Sequence, residues 1–218
     1  MLKPKLNTQE NYENYGQYNT EPTPEQLLAY FQLNNEDLKL IHTCRYPHTK
    51  LGMALQLCTL RFLGTFLTNP INVPDVVVRT LESQLGFENI HLKPYQQLEF
   101  TRLDHQQRIQ QHLGYRDFGE VEAAQVSELV FTKLIVTEEH TSVLFDFVTT
   151  ELINQFIVLP GSSTILKLIT KARAQAHTKL YQQLASRLSK TQAAKLEALL
   201  LVPKGAHRTR FEQLRAQP

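Results

Sequence analysis

Residues 48–66 constrain the fold more than any other part of the chain. Apolar side chains occupy most of the circumference that a helix over these residues would have: Leu51, Met53, Leu55, Leu57, Cys58, Leu60, Phe62 and Leu63. A helix that is apolar nearly all round belongs in the centre of a domain, enclosed by other helices. Gln56 and Arg61 interrupt the stretch, which falls short of the roughly 20 apolar residues needed for a membrane span. It therefore predicts the central helix of a globular domain, with no membrane contact.

Helical periodicity continues on both sides of this segment, with neither strand alternation nor internal repeats. Proline, glycine and Ser/Thr/Asn capping signals predict further helices over residues 24–31, 35–43, 75–85, 101–113, 119–137, 141–156, 162–188 and 192–201. The predicted fold is all-α, with two helical subdomains that each carry a helix-turn-helix-like element. Its predicted parts are a polar N-terminal arm (1–22), a first helical domain (23–114), a second (115–202) and a basic C-terminal segment (203–218).

Charge is segregated along the chain although the net charge is only +2. Counting Lys, Arg, Asp and Glu, residues 1–37 carry −4, residues 38–74 carry +4, residues 75–164 carry −7 and residues 165–218 carry +9. Separate positive blocks are the electrostatic footprint of a protein that binds a phosphate backbone. They indicate two contact regions, although a solvated basic tail would produce the last block equally well.

Two helix pairs are predicted to be helix-turn-helix elements, in which the start of the second helix meets the major groove. The first runs from Asn35 through the turn Cys44–Pro47, and the second from Val143 through Leu159-Pro160-Gly161. Side chains and backbone N–H groups at such helix starts can contact phosphates or base edges. The predicted DNA-binding residues are Arg45, His48, Thr49, Lys50 and Arg61 in the first region, Ser162, Ser163, Thr164, Lys167, Lys171 and Arg173 in the second, and Lys204, Arg208 and Arg210 in the C-terminal segment.

Other candidate sites are weaker. His42, Cys44 and His48 are potential zinc ligands, but no fourth ligand follows at a familiar spacing, so no metal site is predicted. Residues 162–164 lack the glycine pattern of a nucleophile elbow, and the carboxylates form no catalytic set, so no catalytic residue is predicted. Tyr12, Tyr15 and Tyr18 recur every three residues, and they either pack on the domain, which we favour, or stack on bases.

The polar start of the chain predicts that there is no secretory signal, and two cysteines without a disulfide framework suit a reducing compartment. We therefore expect a cytoplasmic protein.

Several collinear stretches resemble the N-terminal region of the Tn-three family of replicative transposases. The most specific is Leu51-Gly52-Met53-Ala54-Leu55-Gln56-Leu57-Cys58 with Leu60-Arg61-Phe62-Leu63-Gly64. The others are Glu21–Leu27 with Tyr30-Phe31, Asp75-Val76, Gly114-Tyr115-Arg116, Ser142–Asp146, Leu159-Pro160-Gly161 and Val202-Pro203. The loop Glu138–Thr141 has no counterpart in this pattern, so its role stays open.

The resemblance implies binding of double-stranded DNA at the terminal inverted repeats of a transposon. It also implies that cleavage and joining belong to a downstream RNase H-like domain with three magnesium-binding acidic residues, which this chain lacks. The fragment would then need no cofactor, would not be an enzyme, and would self-associate, if at all, through downstream domains. In a bacterial cell it would be nucleoid-associated when bound. The alternatives are a protein-interaction module for an acidic partner and a helical enzyme of unknown chemistry.

Overall fold

The computed structural model describes residues 15–204 and 206–215, and within these ranges the regular elements are all helices. The first six are α1 (Pro24–Tyr30), α2 (Asn35–His42), α3 (Pro47–Leu63), α4 (Asp75–Leu85), α5 (Lys93–Gln97) and α6 (Glu99–Leu113). The next five are α7 (Glu120–Val136), α8 (Thr141–Asn154), α9 (Ser162–Arg187), α10 (Lys190–Leu200) and α11 (Arg210–Arg215). The all-α prediction is confirmed.

Helix α3 forms the centre of the first group of helices, as its apolar circumference predicts. Every residue from Leu51 to Leu60 is buried, and α1, α2, α4, α5 and α6 all pack against it. The helix begins with Pro47 at its first position and ends at Gly64, which has a left-handed φ of 75°. Proline suits the first helical position because it lacks an N–H group, and glycine adopts a left-handed φ without a steric penalty.

A second hydrophobic cluster joins α7, α8 and α9. Its buried members include Val130 on α7, Leu144 and Val148 on α8, and Ile165 and Ile169 on α9. Helices α10 and α11 contribute no buried side chain. The buried apolar residues thus fall into two clusters, one around α3 and one between α7, α8 and α9.

The two clusters meet where α3 ends. The Leu159 N–H donates to the Gly64 carbonyl at 2.9 Å, and the Thr65 hydroxyl donates to the Leu159 carbonyl at 3.1 Å. A short parallel bridge also pairs Arg116 with Ile157. Backbone hydrogen bonds of this kind fix two segments relative to each other, because breaking them leaves polar groups unsatisfied. The end of α3 is therefore joined to the segment that leads into α9.

The N-terminal segment packs on both clusters. Tyr15 contacts Phe145 edge to face at 5.1 Å between ring centroids, whereas Tyr18 stacks on Phe62 at 5.6 Å and is hydrogen-bonded to Thr59 at 2.9 Å. Burial raises the pKa of both tyrosine hydroxyls. These contacts confirm the packing prediction for these two tyrosines, while Tyr12 lies outside the described residues.

Candidate nucleic-acid interface

The turn before α3 carries an exposed stack of side chains. The Arg45 guanidinium lies 5.4 Å from the centre of the Tyr46 ring, and that ring stacks on His48 with centroids 5.6 Å apart. Arg45 and Tyr46 are exposed, and His48 and Lys50 are half-buried. This first turn is cationic and open to solvent. It can therefore meet phosphates or a base edge.

Thr49, which was predicted to bind DNA together with Arg45, His48 and Lys50, is hydrogen-bonded at the start of α3 instead. It is only 6% exposed, and its hydroxyl donates to the Tyr46 carbonyl at 2.8 Å and accepts from the Tyr46 N–H at 3.2 Å. A buried side chain whose hydroxyl already donates and accepts is poorly placed to contact a duplex. We therefore interpret Thr49 as a residue that stabilises the start of α3.

Arg61 is held inside the first cluster. Its guanidinium pairs with the Asp37 carboxylate at 2.5 Å, and His112 contacts the same carboxylate oxygen at 2.8 Å. Burial alone would raise the pKa of the Asp37 carboxyl, but hydrogen bonds from Arg61, the Asn34 amide and His112 outweigh it and hold the pKa below its usual range. Because Arg61 neutralises a buried carboxylate, we interpret it as a structural residue, and its predicted DNA contact stays a prediction.

Burial also limits what the first helix pair can do. A recognition helix lies in the major groove and presents one face to the bases. Residues 51–60 of α3 are buried on all sides, so no face of this helix is free beyond its first turn. The first element can therefore contact DNA through Arg45, His48 and Lys50, but the buried part of α3 cannot lie along a groove.

A buried network of side-chain hydrogen bonds packs against the turn before α3. Gln56 donates to the Tyr95 hydroxyl, which lies 2.9 Å from Nδ1 of His105, while Nε2 of that ring lies 3.4 Å from the Cys44 sulfur. Burial lowers the pKa of His105 to about 4. The ring is consequently neutral near pH 7, with one nitrogen as donor and the other as acceptor. This network connects Cys44, in the turn, to α3, α5 and α6.

The second candidate element places α9 on the surface. Gly161 precedes the helix, and no side chain caps its first N–H groups. Ser162 is half-buried, whereas Ser163 and Thr164 are exposed. The face of α9 that packs inward consists of Ile165, Ile169, Ala172 and Ala176.

The opposite side of α9, which we call its outer face, is polar and exposed. A row at spacings of three or four residues runs along it and is flanked by a second row on one side. The first row is Ser163, Lys167, Thr170, Ala174 and Thr178, and the flanking row is Thr164, Lys171 and Gln175. Helix α9 contains no Asp or Glu. The sequence-based prediction included the lysines but missed Thr170, Ala174, Gln175 and Thr178, which the same helical spacing could have indicated.

Arg173 does not belong to the outer face. Its guanidinium donates to the Glu139 carbonyl at 2.7 Å, and Lys133 on α7 lies 3.9 Å from the Glu139 carboxylate. The loop Glu138–Thr141, whose role the sequence left open, is thereby tied to α7 and α9. We assign Arg173 to this loop rather than to DNA.

The three C-terminal cations lie on a separate segment. Lys204, Arg208 and Arg210 are all exposed and flank the start of α11. These three cations therefore lie in a different part of the chain from the turn before α3 and from α9.

The described part of the chain offers no metal centre: no three His, Cys, Asp or Glu residues come together there in a way that could hold a metal ion. The helices of this described part are each too short or too polar to span a bilayer.

The two cationic regions lie towards opposite ends of α3. This helix spans about 25 Å at 1.5 Å per residue, and its end contacts Leu159, three residues before the start of α9. Three residues reach at most about 10 Å. The starts of α3 and α9 consequently lie at most about 40 Å apart, which is little more than the roughly 34 Å of one turn of duplex DNA.

Fold and surface together define an all-α protein with two packed helical clusters and an exposed, cation-bearing helix. The chain belongs to the family described as Domain of unknown function (DUF4158), whose model matches residues 6–172. It is also homologous to transposases of the Tn-three family, which confirms the resemblance seen in the sequence.

Three of these relatives show how much of each protein is shared. The transposase of transposon gamma-delta from Escherichia coli (strain K12) is 37% identical over 216 residues, which cover 97% of this chain and 21% of that transposase. The transposase of Tn501 from Pseudomonas aeruginosa is 30% identical, over 88% of this chain and 19% of that protein. The transposase of Tn1546 from Enterococcus faecium is 27% identical, over 82% and 18%. The chain spans about a fifth of the length of these relatives and corresponds to their N-terminal part.

Proposed function

We propose that this chain is the DNA-binding part of a transposase and recognises the terminal inverted repeats of its transposon. The observation that carries the proposal is the outer face of α9, which is exposed, cationic and free of carboxylates, in a chain homologous to the N-terminal part of transposases. Positive side chains on one helix face match the charge of a phosphate backbone. Strand cleavage and joining belong, in this proposal, to other parts of the full-length protein.

Binding combines two contact regions. The turn before α3 contributes Arg45, His48 and Lys50, with Arg45 as the candidate for a bidentate contact to guanine. The outer face of α9 contributes the second region. Because the two are linked, each raises the effective concentration of the other at the DNA, so the pair binds more tightly than either region alone. The exposed C-terminal cations add non-specific affinity for phosphates.

Magnesium has no role in this binding step. Lysine and arginine contacts to phosphates require no metal, and the affinity should instead depend on salt, with a slope of about −0.9 per neutralised phosphate in log K against log salt. Any magnesium requirement belongs to the catalytic part of the full-length protein.

A gel-shift titration tests the proposal directly. The purified 218-residue chain is titrated against a duplex carrying the terminal repeat that flanks its coding sequence, and against a shuffled duplex of equal length. We expect tighter binding to the repeat. Arg45→Ala should weaken repeat binding about 5- to 150-fold, which corresponds to 1–3 kcal/mol, and should weaken shuffled-duplex binding less. Arg79→Ala, which removes an exposed arginine on α4, is the matched control and should leave both affinities unchanged.

Two outcomes contradict the proposal. Equal affinity for repeat and shuffled duplexes would indicate a non-specific cationic surface or a site for an acidic protein. Phosphodiester cleavage by the purified chain in the presence of magnesium would show that the chain itself carries chemistry.

A further inference from the structure

The outer face of α9 has the geometry of a groove-reading surface. Its main row, from Ser163 to Thr178, covers about 22 Å of helix at 1.5 Å per residue. The inward face is held by α7 and α8 through Ile165, Ile169 and Ala172. A helix supported along one side and open along the other can enter a groove without losing its packing.

The diameter and the charge of α9 both fit the major groove of DNA. A helix with its side chains is about 10–12 Å across, which matches the roughly 12 Å width of the major groove and exceeds the roughly 6 Å of the minor groove. Lys167 and Lys171 bring positive charge to the outer face, and α9 has no carboxylate to repel phosphates. Helix α3 cannot take this position because its residues 51–60 are buried.

The uncharged side chains of the outer face suit base edges. A glutamine side chain pairs in bidentate fashion with N6 and N7 of adenine, and alanine and threonine methyl groups contact the methyl group of thymine. Gln175 supplies the amide, and Ala174 and Thr170 supply methyl groups on adjoining turns. The Thr170 hydroxyl hydrogen is already used, since it donates to the Leu166 carbonyl at 2.8 Å.

We propose that α9 lies in the major groove of the transposon end with its outer face towards the bases, and that Gln175 is a specificity-determining residue. Thr170 and Ala174 contact bases beside it, Lys171 binds a flanking phosphate, and Lys167 adds positive charge to the row that faces the groove. This inference rests on the proposed function, because it names the groove and the residues by which the repeat is read.

The experiment compares Gln175→Ala with Gln183→Ala. Both variants replace an exposed glutamine on α9, but Gln183 lies two turns further along the helix and off the outer face. Each protein is titrated against the terminal repeat and against a panel of repeats in which one base pair at a time is exchanged. The wild-type chain and Gln183→Ala should share one discrimination profile. Gln175→Ala should lose discrimination at one or two A·T pairs by about 5- to 150-fold, with unchanged affinity for shuffled duplex.

Methylation interference identifies the groove in the same complexes. Dimethyl sulfate modifies N7 of guanine, which faces the major groove, and N3 of adenine, which faces the minor groove. We expect N7 methylation next to the Gln175-dependent pairs to block binding of the wild-type chain. Interference there from N3 methylation alone would overturn the placement of α9 in the major groove.

The remaining outcomes separate the two proposals. If the wild-type chain prefers its repeat but Gln175→Ala keeps the full discrimination profile, the role of Gln175 is refuted and the proposed function stands. If the wild-type chain shows no preference for the repeat, the proposed function itself fails. Specific binding of an acidic protein to the outer face, abolished in Lys167→Ala, would assign that surface to a different partner.

Discussion

Gly52 shows how a single missing side chain determines the packing of the first cluster. It lies inside α3, and a Cβ atom at this position would overlap the ring of Tyr95 on α5. That ring is fully buried, and its hydroxyl is hydrogen-bonded to Gln56 and His105. The absence of a Cβ therefore allows α5 to lie directly against the central helix.

We expect Gly52→Ala to destabilise the protein by about 1–3 kcal/mol, the range for overpacking a core. The sign of this change in stability is informative, because replacing glycine by alanine inside an exposed helix stabilises it by about 1 kcal/mol. Urea denaturation at pH 7 measures the difference in the free energy of unfolding.

Introducing Gly52→Ala into the Tyr95→Ala variant tests whether the Tyr95 ring causes the destabilisation. In Tyr95→Ala the ring is gone, so adding Gly52→Ala should no longer destabilise and should regain part of the helix propensity. Destabilisation of equal size in both backgrounds would show that the effect does not come from the ring.

At this scale the sequence predicts which residues begin a helix, but not which side chains are already engaged. Thr49 and Arg45 both precede or open α3, yet one is buried in the cap and the other is exposed. Arg61 meets Asp37 across 24 positions of sequence. Such contacts depend on how helices pack, and helical periodicity contains no information about them.

Among the elements, α2, α3 and α6 are joined by one buried carboxylate. The Asp37 side chain is fully buried and is contacted by Arg61 from α3 and His112 from α6. Removing one partner of a buried ion pair leaves a charge that water cannot solvate.

Arg61→Gln should destabilise the protein by about 2–4 kcal/mol at pH 7, somewhat below the 3–5 kcal/mol typical of a fully buried pair, because Arg61 is 20% exposed. The control is Lys39→Ala, which breaks the pair with Glu36 at the surface, where both side chains are largely exposed. Exposed pairs contribute about 0–1 kcal/mol. Thermal and urea unfolding measure both variants.

The same variant tests the role assigned to Arg61. Folded Arg61→Gln should bind the terminal repeat with wild-type affinity below its unfolding temperature. A clear loss of affinity in the folded variant would return Arg61 to the DNA-binding set.

Helices of seven or more residues were predictable, including α1 and α2, whereas the two shortest, α5 and α11, were not. The sequence predicted a central helix over residues 48–66, and α3 runs from Pro47 to Leu63. The predicted helix extended three residues too far because Phe66 continues the apolar pattern, although Gly64 ends the helix. Helix α5 has five residues and shows no periodicity over so short a length. Helix α11 lies in the basic C-terminal segment, where no helix was predicted, but Thr209 and Glu212 cap its start.

For the whole molecule, the contacts between the clusters determine how the two cationic regions can bind together. The Gly64–Leu159 hydrogen bond and the packing of Tyr15 and Tyr18 hold the second cluster against the end of α3. The predicted domain boundary near residue 115 marks where periodicity restarts. It gives no sign that Tyr15 crosses to the second cluster, since that contact spans 130 residues of sequence.

A fixed arrangement of this kind makes a prediction about the DNA. Five base pairs, about half a turn, are inserted at successive positions through the terminal repeat. An insertion between the two contact zones rotates one zone to the opposite side of the duplex. We expect the affinity there to fall to that of a single region, a loss of about 100-fold or more from the effective concentration of linked sites. Insertions outside both zones should have no effect.

Ten inserted base pairs provide the decisive comparison. A full turn restores the facing of the two zones but moves them about 34 Å further apart. Because the clusters are joined by backbone hydrogen bonds rather than by a flexible linker, they cannot follow this displacement, and the ten-pair insertion should bind as weakly as the five-pair one. Recovery of affinity at ten pairs, or tolerance of five, would mean that the junction at Gly64 and Leu159 opens when the protein binds DNA.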